Sequence, residues 1–243
     1  MHTDAATRIR ARARAATQPS SPARTLVRGT GEVLITLGVL VLLFAAYQLV
    51  YTNVQANRAA AKVTDQIQRQ WAGQPDTGPA TDDFAGVQDG GGFAFLHIPR
   101  LGTGWHKPIV QGVDPDDLAR GVGHYPRSAM PGRIGNFAVA GHRATHGEPF
   151  RDLNRLSAGD VVVVEAAKNW YVYRIDNDGQ LVMPSAVGVV LPVPNQPGAK
   201  PTERLITLTT CDPRWGSTHR LIYWGHLESV EPKSAGRPSV LSG

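Results

Sequence analysis

Nineteen consecutive residues without a charge, 33–51, set the first constraint on this chain. Only Thr36 and Gln48 are clearly polar among them. At about 1.5 Å of rise per residue, a helix of that length nearly matches a hydrocarbon core of about 30 Å. Tyr47 and Tyr51 fall at one end, where aromatic rings favour the membrane interface. The run is longer than the apolar region of a cleaved signal peptide, so an uncleaved anchor is the better reading. A buried core helix fits worst, because the flanking charge is one-sided. The anchor is placed at 32–52.

That one-sidedness accounts for the whole charge balance. Residues 1–31 hold six arginines and a single acid, Asp4, which equals the net charge of +5. Beyond residue 31 the 19 basic and 19 acidic residues cancel. The sequence pI of about 9.6 therefore describes the tail alone. A nucleic-acid protein would carry its basic patch on the folded part, so that class is set aside. Arginines ahead of an apolar span predict a cytoplasmic N-terminus and an exported remainder. The tail has no hydrophobic period and is expected to be disordered.

Residues 53–92 read as a helical stalk followed by a flexible linker. Val63, Ile67 and Trp71 recur every four residues, which puts them on one helical face. That face either touches the following domain or belongs to a solvated helix. Glycines, prolines and acids from 73 to 92 suit a tether. A domain is expected over 93–230, and 231–243 is expected to be a disordered polar tail without a second apolar run.

Within 93–230 the signals are short β runs cut by turns. Strands are predicted at 93–98, 108–111, 136–141, 161–165, 170–176, 187–191, 205–211 and 220–228. The pair 161–165 and 170–176 reads as a hairpin. Short helical turns are predicted at 114–118, where Asp114 precedes Pro115, and at 148–156. Eight strands at this spacing predict an all-β barrel or sandwich with short helices.

The only cysteine, Cys211, ends one of these strands. A lone cysteine forbids an intrachain disulfide and a cysteine-based zinc site, and by default fills a core. Three features favour a reactive thiol instead. Cys211 lies where a strand gives way to the turn residues Asp212-Pro213 and Gly216-Ser217. Arg220 opens the next strand, so a guanidinium can stand beside the thiolate. His142 ends another strand and supplies an imidazole of the kind that serves a cysteine nucleophile.

Here the residues become specific. Thr207-Leu208-Thr209-Thr210-Cys211 resembles the TLxTC motif of sortases, the transpeptidases that attach exported proteins to the Gram-positive cell wall. Arg220 and His142, in Gly141-His142-Arg143, are similar in order and spacing to that family's arginine and histidine. The resemblance implies an eight-stranded sortase-type β-barrel. It implies Cys211 as nucleophile, His142 as general acid and base, and Arg220 as stabiliser of the oxyanion and positioner of substrate. Segment 121–126, Gly-Val-Gly-His-Tyr-Pro, resembles a substrate-groove segment. Tyr125 and His124 are therefore candidate substrate-binding residues, with Thr210 beside the nucleophile. No cofactor or metal is expected. His142 and His146 are four apart, but no acid adjoins the first His as a zincin requires.

The Gly-His-Tyr, Gly-His-Arg and Thr-Leu-Thr-Thr-Cys strings look most like class E sortases, which implies an LAxTG signal in preference to LPxTG. Class D is the alternative. Asp212-Pro213-Arg214-Trp215 follows the cysteine and so is not the lid of class C enzymes. The implied partners are exported proteins with C-terminal sorting signals and an amine of the peptidoglycan precursor. A barrel that binds wall peptides without chemistry, and a hydrolase whose thioester water resolves, remain as other readings.

Overall fold

The computed structural model describes residues 22–73 and 83–241. The chain divides into two compact units between Ala45 and Ala46. Helix α1 (Pro22–Ala72) begins inside the segment expected to lack structure. Pro22 suits a first helical position, and Arg28 and Glu32 form an i,i+4 ion pair at 2.9 Å. The rest of the expected tail lies outside the described residues. In the first unit the leucines and valines face outward. The most apolar window of α1 has a mean hydropathy of 2.5 and no buried share, so the helix is long and apolar enough to cross a membrane.

The second unit closes a barrel. Its strands are β1 (Gly92–His97), β2 (His106–Gln111), β3 (Val122–His124), β4 (Gly135–Ala140), β5 (Val161–Glu165), β6 (Asn169–Ile175), β7 (Gln180–Val182), β8 (Arg204–Asp212) and β9 (His219–Pro232). Eight of them form a ring in the order β6-β5-β1-β2-β3-β4-β8-β9, which shuts through the β6–β9 pairing. The ring leaves no free edge in the wall. β9 is long enough to serve two neighbours on one side: its start pairs with β7, the remainder with β6. Most contacts are antiparallel, but β2–β3 and β4–β8 are parallel. A short helix, α2 (Pro115–Leu118), with Asp114 and Asp117 in a capping box, connects β2 to β3.

Strand alternation fills the interior. Phe137 and Val139 of β4, Ile206 and Leu208 of β8, and Leu221 and Tyr223 of β9 join one buried cluster with Ile109, Val122, Val164 and Tyr173. The Tyr173 hydroxyl, fully enclosed, accepts from Gly132 N at 2.7 Å, and the Tyr223 hydroxyl donates to Leu156 O at 3.1 Å. Both buried hydroxyls thus keep a partner.

Both ends of the domain and four elements differ from the sequence reading, the unforeseen strand β7 among them. Residues 83–91 are part of the domain. The Asp83 carboxylate accepts from Lys168 N, Asn169 Nδ2 and the Tyr171 hydroxyl, and Phe84 packs edge-on to Phe93 at 5.8 Å. The linker portion 74–82 lies outside the described residues. At the other end β9 runs to Pro232, and Leu241 is buried against Val163, Trp170 and Val172, so most of the expected tail is structured. The run at 187–191 is not a strand but a 3-10 turn, Val187–Val190, in which only Val189 is buried. Around 148–156 only Leu153–Arg155 is helical, as one 3-10 turn. The eighth member of the ring is instead β3, a three-residue strand held between β2 and β4. The helical face Val63, Ile67 and Trp71 does dock, on Phe95 and Val110.

Candidate active site

Alternation along β8 sends Ile206 and Leu208 inward and leaves Thr207, Thr209 and Cys211 on the outer face of the wall. Cys211 stands opposite Arg220 in the β8–β9 ladder. Residues so paired share a face, with Cβ atoms about 5 Å apart. On the other side β4 runs parallel to β8, with Ala140 level with Thr209. Gly141 N donates to Thr209 O at 3.1 Å, which carries the ladder one residue further. His142 follows at the level of Cys211. Histidine, cysteine and arginine therefore stand in a row across β4, β8 and β9.

The three line one cleft of about 220 Å³, completed by Thr209, Thr210, Ala140, Gly141, Val113, Leu118 and Tyr125. Cys211 is half-buried and reachable. The Arg220 guanidinium is held by carbonyl oxygens, Ser217 O at 3.0 Å and His219 O at 3.1 Å, both in its own loop. Carbonyls orient it without cancelling its charge. Burial pushes the His142 pKa below its ordinary value, and the neighbouring His146, ring centroid 5.1 Å away, pushes the same way. The neutral imidazole therefore dominates near neutral pH.

The candidate substrate residues separate. Tyr125 lines the cleft, its hydroxyl 3.4 Å from Thr209 Oγ1. Thr210 borders it too, but its hydroxyl donates to Gly141 O at 2.7 Å and so fastens β8 to β4. His124 does not reach the cleft. It is fully buried, with Nδ1 2.7 Å from Gln111 Oε1 and Nε2 2.8 Å from Ser128 Oγ, and its ring stacks on Phe137. Burial depresses its pKa to about 4, against a weaker opposing bond to Ala129 O. The reason is strand alternation: His124 and Tyr125 are neighbours and face opposite sides.

Sequence reasoning missed the groups that fix the frame. Arg143, only 9% exposed, forms an ion pair with Asp212 and reaches Cys211 O at 3.5 Å. The residues after His142 and after Cys211 are thus tied together. A second tie runs through Glu148, whose carboxylate takes Arg214 Nη2 at 2.5 Å. Burial alone would raise the Glu148 pKa, but Asn53, Arg214 and Thr145 N outweigh it and leave the carboxyl below its usual range. Nothing local in the sequence announces these pairs, because each joins segments more than sixty residues apart. Among the described residues no group of three His, Cys, Asp or Glu side chains is set to hold a metal ion.

Residues 96–228 match the family model of the sortase domain. The chain is 42% identical to sortase SrtE1 of Streptomyces coelicolor over 242 residues, 96% of this chain and 66% of that protein. It thus spans just under two thirds of that relative's length. It is 32% identical to sortase SrtE2 of the same organism over 230 residues, covering 90% of this chain and 89% of that one. Among solved structures, sortase E from Streptomyces avermitilis superposes with a TM-score of 0.58 at 45% identity, covering 63% of this chain and 99% of that chain. Sortase E1 from S. coelicolor, solved with a tripeptide in its active site, gives 0.56 at 44%, covering 63% and 97%.

Proposed function

This chain belongs to the sortase family, and on that premise we propose that it is a membrane-anchored cysteine transpeptidase of the class E kind. Its substrate is the C-terminal sorting signal of an exported protein, LAxTG-like in preference to LPxTG. The acceptor is an amine of the peptidoglycan precursor. The apolar part of α1 anchors the chain with its N-terminus in the cytoplasm and the barrel outside. The carrying observation is the alignment of His142, Cys211 and Arg220 across three adjacent strands at one cleft. The tripeptide in the S. coelicolor structure supports a peptide as the ligand of the corresponding cleft here.

The chemistry follows from the groups. The Cys211 thiolate attacks the carbonyl carbon of the Thr–Gly bond, and the carbonyl π electrons move to oxygen. Arg220, charged and held by carbonyls alone, faces that oxyanion. Collapse breaks the C–N bond, His142 as imidazolium gives its proton to the leaving amine, and a thioester to Cys211 remains. The acceptor amine then attacks the thioester carbon and yields its proton to neutral His142. The new amide forms and the thiolate leaves. The depressed His142 pKa favours this second half, because the base form is the abundant one. Tyr125 bounds the groove and contacts the peptide.

A fluorogenic LAxTG peptide with an added amine tests the reading. Wild-type chain should give both a thioester adduct and a ligated product, and Cys211→Ala should give neither. Absence of adduct and product from the wild type leaves a peptide-binding barrel without chemistry. Cleavage without ligation at high amine identifies a hydrolase. A peptide-library profile separates the class E preference from class D.

A further inference from the structure

The loop after His142 does not rest on the barrel alone. Asn53 of α1, in the same compact unit, donates from Nδ2 to Glu148 Oε1 at 3.0 Å and accepts from Gly147 N at 2.9 Å. Glu148 Oε1 also accepts from Thr145 N at 3.3 Å. Its second oxygen takes Arg214 Nη2 at 2.5 Å and lies 3.6 Å from Arg151 Nη1. The Glu148 side chain is only 9% exposed. One carboxylate thus meets three elements: the helix, the loop that carries His142, and the loop that leaves Cys211.

The backbone around it is held away from ordinary conformations. Thr145, His146 and Glu148 all have positive φ, at 61°, 49° and 47°. Non-glycine residues stay there only where their surroundings over-determine them. The loop then closes through Phe150 N to His142 O at 2.9 Å, so a shift at Glu148 passes directly to the histidine's own peptide. Gly147 is pressed between the loop and the helix: a Cβ there would lie 3.3 Å from Asn57 Oδ1 and 3.4 Å from the Ala56 Cβ.

We infer that Glu148, held by Asn53, is a positioning residue that sets the spacing between His142 and Cys211, so that the stem of the anchor helix is a working part of the active site. The inference rests on the reading of His142 and Cys211 as acid–base group and nucleophile. Neither Asn53 nor Glu148 touches the cleft; they act through the two loops.

The test uses the full chain in detergent, with the fluorogenic peptide and amine. Small misplacements of reacting groups cost up to about a hundredfold in rate. Glu148→Ala should lower kcat by about tenfold to a hundredfold with KM within about twofold. Asn53→Ala should lower kcat in the same sense, by about threefold to tenfold. The double variant should be no slower than Glu148→Ala, because both changes break one unit. Glu148→Gln, which keeps the shape but only one of the two acceptor oxygens and no charge, should recover part of the rate. Arg58→Ala, on an exposed part of the same helix, should match wild type. Rates are corrected for the folded fraction from thermal melts. Wild-type kcat in both Glu148→Ala and Asn53→Ala, or a loss that tracks the folded fraction alone, overturns the inference and leaves the transpeptidase reading standing. Should Glu148→Ala fail to fold, Asn53→Ala decides in the same way. Turnover by Cys211→Ala would instead remove the transpeptidase reading itself.

Discussion

Two clusters on this barrel each set an imidazole near a cationic side chain and come out differently. At the ends of β4, β8 and β9, His142, Cys211 and Arg220 share an open cleft. On the wall made by β1, β2, β5 and β6, His97, Glu165, Lys233 and Trp170 lie beside Trp71 of α1. There the charged groups are paired. His97 Nε2 and Lys233 Nζ each lie 2.7 Å from Glu165, and Lys233 sits over the Trp71 and Trp170 rings at 4.2 and 5.2 Å. Burial would raise the Glu165 pKa, but those two partners hold it below its usual value. At the cleft the arginine is held by carbonyls and the histidine meets another histidine. A set whose charges cancel internally is a structural joint. A set whose charge and thiol stay available is one that a ligand can complete.

The largest effects are expected at the cleft. Cys211→Ala should abolish turnover. Arg220→Lys, which keeps the charge but loses the fixed fork, should cost about a hundredfold to a thousandfold in kcat while melting within a few degrees of wild type. An arginine that tolerates lysine at full rate would be a surface strand residue.

A second contrast lies between the two histidines of the site's own neighbourhood. His124 is buried with its pKa pushed down to about 4, so the folded chain resists a proton that the unfolded chain binds near 6.5. Stability from this residue is full above about pH 6.5 and is lost as pH falls from there towards 4, by up to about 3 kcal/mol. Urea titrations across that range should show the loss, and His124→Gln should flatten it. An unchanged slope in the variant would place the acid sensitivity elsewhere.

At the paired cluster the expected effect is on stability. Glu165→Gln leaves Lys233 and His97 without their carboxylate, and the cost should be about 1–3 kcal/mol with kcat within about twofold of wild type. Because the Glu165 pKa is held down in the folded chain, its contribution is present above the ordinary carboxylate range and fades as pH falls through the lowered value. A fall in kcat with intact stability would mean that this wall also serves the reaction.

The smallest effect concerns His146. Burial is the larger cause of the low His142 pKa and His146 the lesser. Removing the second imidazole with His146→Gln should raise the His142 pKa slightly and move the acid limb of the amine-transfer rate to higher pH. A limb that stays in place would show that burial accounts for the shift alone.

Much of the site was legible because its signals are local. Cys211 closes a run of β-formers before Asp-Pro, and Arg220 opens the next, so a short loop leaves the two facing whatever the barrel does around them. His142 was legible as a strand end. Other elements were not. β3 has a glycine at its centre and three residues in all, and it exists because β2 and β4 flank it. The apolar residues at 187–191 look like a strand, yet Val189 O is needed by Trp224 Nε1 and Leu191 O by Asn136 Nδ2, and a 3-10 turn presents them. His124 and Tyr125 looked like one groove segment until alternation sent them to opposite faces.

Composition and order along the chain decided that a basic tail and an apolar helix precede an all-β domain, and that one thiol, one imidazole and one guanidinium stand at strand ends. Hydrophobic runs, charge sign and turn residues act over a few positions, so a linear reading captures them. Tertiary structure alone decided which strands close the ring, that His124 is sealed inside, and that Arg143 and Glu148 brace the loops around the cleft. Those outcomes depend on ladder register and on ion pairs between distant segments, and register is a property of two strands at once.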